Sequence, residues 1–287
     1  MKERLFEMIP VVKTIKEVRE FIKTARRGGK TVGFVPTMGF LHEGHKSLIV
    51  RAAAENDVVV VSDFVNPTQF GPNEDFEAYP RDIEQDAALC TEAGASLIFN
   101  PEPEEMYKNG LTSVSVADIT KGLCGKTRPT HFDGVCLVVS KLFNIVMPDR
   151  AYFGQKDAQQ LCVIKKMVED LNFDIEIVGC PIVREEDGLA KSSRNTYLNA
   201  EERKAALCLS RSLKLGKAMI EHGERSSAAV IAAIRSEIEK EPLAKIDYVE
   251  MVSLDTLKSV QSTDAPILTA VAVYIGKTRL IDNFIID

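Results

Sequence analysis

The chain has 287 residues, of which 45% are hydrophobic and 27% charged, and its formal net charge is −6. Its apolar content suffices for a sizeable core, and its length points to two domains. The acidic balance excludes a protein that holds nucleic acid by broad phosphate neutralisation, although a local basic pocket is still allowed.

At the N-terminus, residues 1–12 carry acidic side chains and no apolar h-region, so no signal peptide is expected. Ile15 to Arg26 has helical spacing at Ile15, Val18, Phe21 and Ile22, and the RGGK that follows is a stop signal. Thr31–Pro36 reads as the first strand and Gly44–Glu55 as the helix after it. Asp57–Val65 is a continuous apolar run suited to a buried parallel strand, and a polar loop through Asn66, Thr68, Gln69 and Gly71 leads on to Arg81. Asp82–Ala93 reads as a helix and Ala95–Phe99 as a third strand. Three β–α steps in the first hundred residues predict a parallel sheet with helices on both faces, which binds ligands beyond the carboxyl ends of its strands. The loops after the first two strands are therefore expected to face one crevice.

Further on, the pattern predicts a short strand at Ser113–Val116, a helix over Gly134–Ile145 opened by Asp133, and a strand at Ala151–Phe153. A helix at Ala158–Leu171 and a strand at Asp174–Cys180 complete this part. Val183–Tyr197 is a polar loop and marks a boundary. Beyond it, two helices (Ala200–His222 and Ser226–Glu239) precede alternating stretches at Asp247–Val252, Ile267–Ile275 and Arg279–Ile285. They predict a smaller α+β module with an antiparallel sheet. The expected domains are residues 1–183 and 184–287.

Six cysteines at positions 90, 124, 136, 162, 180 and 208 form no CxxC pair and read as small core hydrophobes in a reducing compartment. No apolar run reaches the roughly 18 residues of a membrane span. The cytoplasm is the expected location, with no membrane partner.

The stretch from Gly33 to Leu48, GFVPTMGFLHEGHKSL, carries the strongest chemical signal. A strand runs into a turn at Pro36 and Gly39, and His42, Gly44 and His45 stand where an apolar helix begins. A helix start offers N–H groups and partial positive charge to an anion, and two imidazoles add donors, so the stretch reads as a phosphate grip. Zinc on HxxH would need at least one further ligand from elsewhere in the chain; the nucleotide reading is preferred, with no fixed protein metal site. Gly154, Gln155, Lys156 and Asp157 repeat the pattern of glycine after strand and before helix, with a lysine suited to phosphate. Lys191, Ser192, Ser193, Arg194 and Asn195 place two cations and two hydroxyls in a loop suited to closing over a triphosphate. Gln69 is an uncharged donor for a carboxylate or hydroxyl. Arg128 and His131, in KTRPTHF, are further candidates for the crevice, which the sequence alone does not place there. GKT at Gly29, Gly125 and Gly276 lacks the earlier glycine of a P-loop, because Thr24, Thr120 and Val271 stand there. Neither GxSxG nor GxGxxG occurs.

Together PTMGFLHEGH, FVNPTQFGPNEDFEAYPRD, RPTHFDGV, YFGQKDAQQ and KSSRNTYL, in that order, resemble the pantothenate synthetase (pantoate–β-alanine ligase) family over nearly the whole chain. The family belongs to the adenylate-forming nucleotidyltransferases with HIGH-type and KMSKS-type signatures, here His42–His45 and Lys191–Asn195. The resemblance implies a Rossmann-like nucleotide-binding domain and a small C-terminal α+β domain. It implies an ATP site formed by Met38, Gly39, Phe40, Leu41, His42, Glu43, Gly44 and His45, with Gly154, Gln155, Lys156 and Asp157, Val183 at adenine, and Lys191, Ser192, Ser193 and Arg194 in the closing loop. His45, His42, Lys156 and Arg194 would be catalytic, Gln69 would contact pantoate and β-alanine, and Gln160 pantoate. Gln155, Lys191 and Thr130 stand where the family commonly has Glu, Met and Gly. The implied reaction joins pantoate and β-alanine at the expense of ATP, with Mg2+ on the triphosphate, in a homodimer. The rival readings are a nucleotidyltransferase that moves a nucleotide onto a phosphate acceptor and a non-catalytic nucleotide sensor.

Overall fold

The computed structural model describes residues 8–72, 74–264 and 266–286. Residues 1–7, which contain most of the segment read for a signal peptide, and Asn73 of the polar loop lie outside them. The chain opens with strand β1 (Val11–Val12) and helix α1 (Ile15–Arg27). Thr14 caps α1. Its hydroxyl accepts the Glu17 N–H at 3.3 Å and the Glu17 carboxylate accepts the Thr14 N–H at 3.0 Å, a reciprocal capping box. There follow β2 (Val32–Thr37), α2 (Glu43–Glu55), β3 (Val58–Asp63), α3 (Ile83–Ala93) and β4 (Leu97–Phe99). After the short α4 (Pro103–Met106) and α5 (Cys124–Thr127) come α6 (His131–Val146), β5 (Arg150–Gly154), α7 (Ala158–Asp170) and β6 (Glu176–Cys180). The rest is α8 (Ala200–Ala205), α9 (Leu207–Glu221), α10 (Ser227–Glu239), β7 (Ala244–Ser253), β8 (Ile267–Ile275) and β9 (Thr278–Ile286).

The residues gather into two compact units. The first holds the chain up to Val116, Thr130–Gly154 and Val163–Cys180; the second holds Ala117–Pro129, Gln155–Cys162 and the chain from Pro181 onward. In the first unit six parallel strands lie in the order β1-β4-β3-β2-β5-β6. Strand β3 is buried along its whole length, as a parallel strand covered on both faces must be. On one face Val35, Val59 and Val61 pack with Leu48, Ile49 and Ala52 of α2 and with Ala87 and Cys90 of α3. On the other, Phe34 meets Phe143 of α6 edge to face, with ring centroids 6.4 Å apart. Each such fully buried side chain contributes about 1.5–3 kcal/mol. The order reverses between β2 and β5, which are direct neighbours through Gly33–Arg150 and Phe34–Ala151, and such a reversal opens the crevice of a doubly wound sheet.

The second unit is built on an antiparallel sheet, β7-β8-β9. One face packs Val249, Val271 and Phe284 against Leu213 of α9 and Ile234 of α10. The other meets Cys124 through the Tyr248 hydroxyl at 3.3 Å, and Gln155 and Lys156 through Asn283.

Four expectations are corrected. Ser113–Val116 forms no strand, because β1 takes the place beside β4 and an alternating segment without a ladder partner has nothing to pair with. Helix α6 starts at His131 with Thr130 as its cap, so Asp133 lies in the first turn, where its charge still suits the helix dipole. The helix expected over Ala200–His222 is two, broken at Ala206, which closes α8 and opens α9; Ala206 and Cys208 are fully buried, so the apolar period runs through the break and hides it. The loop Val183–Tyr197 is more ordered than its polarity suggests. Arg184 and Ala190 pair as an antiparallel bridge, and Ser193–Tyr197 is a 3-10 helix.

Candidate active site

In the first unit the candidate site begins where β2 ends. Gly39 and Phe40 both take left-handed backbone conformations, with φ of 79° and 51°, and the non-glycine Phe40 needs support to stay there. Asp86 of α3 supplies it. Its two carboxylate oxygens accept the N–H groups of Phe40 and Leu41 at 2.6 Å each. Asp63, at the end of β3, lies under the same turn, and a Cβ on Gly39 would fall 2.2 Å from its Oδ1, so the position admits only glycine. Both carboxyls are buried. Burial and the charge of Asp86 push Asp63 up to about 7, while Asp86 is raised by burial against the opposing pull of the Leu41 and Phe40 N–H bonds. Asp63, which has no backbone N–H bonds among the described residues to offset its burial, is the more readily protonated of the two. The nearby Cys90 thiol is pushed up to about 12 by burial.

The turn delivers two histidines to the start of α2. His42 is the cap. Its Nδ1 accepts the Gly44 N–H at 3.1 Å, and His45 Nδ1 accepts the His42 N–H at 3.3 Å. With Nδ1 an acceptor on both rings, each neutral imidazole carries its proton on Nε2. The rings stack with centroids 4.1 Å apart. A helix start and two Nε2–H donors together suit an anionic oxygen. Among the described residues no group of three or more His, Cys, Asp or Glu is arranged to hold a metal ion.

Gln69 joins this site. Its Nε2 donates to Met38 Sδ at 3.0 Å, its Oε1 accepts from Asn66 Nδ2 at 3.0 Å, and its backbone carbonyl accepts from His131 Nδ1 at 2.9 Å. The loops after β2 and β3 thus meet, as two neighbouring parallel strands predict. Asn66 organises the turn. It also donates to Gly134 O at 3.2 Å and accepts from the Tyr107 hydroxyl at 2.7 Å. Asp63, Asp86, Asn66 and Tyr107 are supporting residues that pattern reading passes over. The only signal is a polar residue, Asp63, closing the apolar run DVVVVSD.

Gly154 ends β5 in the first unit, and the next three residues form a 3-10 helix in the second. Lys156 Nζ lies 3.6 Å from Asp157 Oδ2. Gln160 follows, partly buried, one residue after Gln159, whose buried amide holds Ile119 O, Gly122 O and the Cys124 N–H at 2.9–3.0 Å. The Val183 carbonyl accepts the Lys191 N–H at 3.0 Å, which closes a hairpin over 183–191. Lys191 Nζ sits 3.4 Å from Glu185. Ser192 Oγ then accepts the Arg194 N–H at 3.3 Å as the cap of the 3-10 helix, and Ser193 is buried. Arg128 closes α5 within this unit, its N–H bonded to Cys124 O at 3.0 Å.

Comparison with known proteins gives matches over nearly the whole length. The family model described as Pantoate-beta-alanine ligase matches residues 10–285. The pantothenate synthetase of Clostridium acetobutylicum is 63% identical over 275 residues, 96% of this chain and 98% of that one. That of Clostridioides difficile is 60% identical over 275 residues, again covering 96% and 98%. The crystal structure of pantothenate synthetase from Thermus thermophilus superposes with a TM-score of 0.92 at 46% identity, covering 96% of this chain and 99% of that one. The pantoate-beta-alanine ligase of Francisella tularensis, solved in complex with beta-gamma ATP and beta-alanine, superposes with a TM-score of 0.78 at 35% identity, covering 96% and 97%. The chain belongs to the pantoate-beta-alanine ligase family.

Proposed function

We propose that this chain condenses pantoate with β-alanine at the expense of ATP. The pantoate carboxylate attacks the α-phosphorus and the bond to pyrophosphate breaks, giving pantoyl adenylate. The β-alanine amine then attacks the acyl carbon and the bond to AMP breaks, giving pantothenate, AMP and one proton. A carboxylate is already anionic at neutral pH, so the first step needs alignment and charge neutralisation rather than a base.

The observation that carries this reading is the pair of histidines at the start of α2, each accepting a backbone N–H at Nδ1, at the strand reversal between β2 and β5. In this reading Met38 to His45, Gly154 to Asp157, Val183 and Lys191 to Arg194 bind ATP. His42 and His45 donate to phosphate oxygens, while Lys156, Ser192, Ser193 and Arg194 neutralise the charge on departing pyrophosphate. Magnesium enters as part of the MgATP substrate. The Gln69 amide, fixed by Asn66, contacts pantoate and β-alanine, and Gln160 contacts pantoate. The enzyme works in the cytoplasm as a homodimer. Family membership and the complex of the Francisella relative with beta-gamma ATP and beta-alanine support the substrate assignment.

ATP–pyrophosphate exchange tests it. Exchange is expected only with pantoate present, and pantothenate with AMP only after β-alanine is added. Exchange that ignores pantoate would overturn the substrate assignment.

A further inference from the structure

Adjacent residues of β9 point to opposite faces of the second unit's sheet, and each holds a different segment of that unit. The buried carboxylate of Asp282 accepts from both terminal nitrogens of Arg184, at 2.6 and 3.0 Å, and from the Asn283 N–H at 2.8 Å. Arg184 stands at the base of the hairpin that leads to Lys191 and Arg194. Asn283, 3% exposed, faces the other way. Its Nδ2 donates to two consecutive carbonyls, Gln155 O at 3.0 Å and Lys156 O at 2.9 Å. Its Oδ1 is buried with no hydrogen-bond partner among the described residues.

A buried amide with an unmatched carbonyl is costly to the strand that carries it. Across the ladder Asn283 faces only Ala270, so the strand pairing makes no use of the amide. What the amide supplies is two donors, and both go to the turn that bears Lys156. Bonds to successive carbonyls fix successive peptide planes, and so the direction in which the Lys156 side chain leaves the backbone.

We propose that Asn283 is a positioning residue for Lys156 and acts on the pyrophosphate-releasing half of the reaction alone. This rests on the reading above, in which Lys156 neutralises the triphosphate. Pyrophosphate departs in the first half-reaction, and β-alanine attacks only after it has left. A displacement of the Lys156 turn therefore slows the first step and spares the second.

The test is Asn283→Asp, assayed above neutral pH so that the ionised side chain keeps the shape and offers no donor, beside Asn283→Thr, which keeps one hydroxyl donor. Two assays are run on each: pantoate-dependent ATP–pyrophosphate exchange, and β-alanine attack on supplied pantoyl adenylate. For Asn283→Asp, exchange is expected to fall about tenfold or more, in line with the cost of misplacing a reacting group, while the second half-reaction stays within about twofold of wild type. Asn283→Thr is expected to lie between. Wild-type exchange in a folded Asn283→Asp overturns the proposal, as does an equal fall in both half-reactions. Failure of both variants to fold also overturns it, by making Asn283 a residue of stability. Wild-type protein whose exchange ignores pantoate strikes the proposed function itself, and this inference falls with it.

Discussion

Asp86 Oδ1 accepts the backbone N–H of Leu41 at 2.6 Å while its Oδ2 accepts that of Phe40 at the same distance. The carboxylate is 1% exposed, so it offers these N–H groups what water would otherwise supply. Asp86→Ala removes the acceptor of a buried Leu41 N–H and of the part-buried N–H of the left-handed Phe40. Bonds to a charged acceptor contribute about 1.5–3 kcal/mol each, so a loss of about 3 kcal/mol is expected in urea unfolding, with a fall in exchange activity. Asp86→Asn keeps one acceptor oxygen and should lose about half as much. Wild-type unfolding of Asp86→Ala would remove Asp86 from this role.

Asp63 gives the fold a pH dependence whose sign follows from its burial. Burial, and then the charge of Asp86, push its carboxyl from the ordinary 3.8 up to about 7 in the folded chain. Between those values the unfolded chain binds fewer protons than the native one, so stability falls as pH rises from about 4 to about 7 and levels off above. The stability of the protonated form is present in full below the unfolded value and lost through the folded one. At about 1.4 kcal/mol per pH unit the loss reaches a few kcal/mol. The charged groups facing Asp63 are Asp86 itself and, through it, Asp82. Asp63→Asn keeps a neutral donor toward Asp86 and removes the titration. Thermal melts between pH 5 and 8 should show wild type losing stability where Asp63→Asn does not. Parallel profiles would refute this assignment.

The two histidines separate capping from chemistry. Asn is among the best helix caps, so His42→Asn should keep α2 in place and lose only the Nε2 donor. His45→Ala and Lys156→Ala each remove one donor or cation from the proposed phosphate site, which typically costs about 10²-fold or more in turnover. All three are expected to retain the wild-type circular dichroism spectrum while kcat falls. Near-normal turnover in any of them would take that residue out of the mechanism.

The strand–turn–helix at Gly33–Leu48 could be read because each of its signals is local: an apolar strand, a turn forced by Pro36 and Gly39, and histidines at a helix start. The parallel sheet followed from repetition of that unit. The support beneath the site could not be read, since Asp63 and Asp86 acquire their role only when β3 and α3 come beneath Phe40 and Leu41. Asn283 lies in an alternating strand where nothing distinguishes it from a solvent-facing polar residue. The packing of residues 117–129 and 155–162 with the C-terminal sheet rests likewise on contacts between residues far apart in the chain, among them Cys124 with Tyr248, Lys126 with Glu250, and Gln155 and Lys156 with Asn283, that leave no period in the sequence.

Gly134 sets how close α6 comes to the turn bearing Gln69. A Cβ there would lie 2.3 Å from Thr68 O, 2.5 Å from Thr68 C and 2.7 Å from Gln69 Cα. All three are backbone atoms, so no side chain can yield, and either the helix or the turn must move. Within a helix, alanine is favoured over glycine by about 1 kcal/mol, whereas overpacking against rigid neighbours costs about 1–3 kcal/mol. The clash is the larger effect, because moving α6 also strains the His131 bond to Gln69 O and the Asn66 bond to Gly134 O. Gly134→Ala should therefore be less stable than wild type. It should also raise the KM for pantoate, about tenfold for a shift of the Gln69 amide by a fraction of an ångström, with the KM for ATP changed far less. Steady-state kinetics with each substrate varied in turn separate the two. A stabilised variant with an unaltered pantoate KM would show that the turn relaxes without cost and that Gln69 does not depend on this approach.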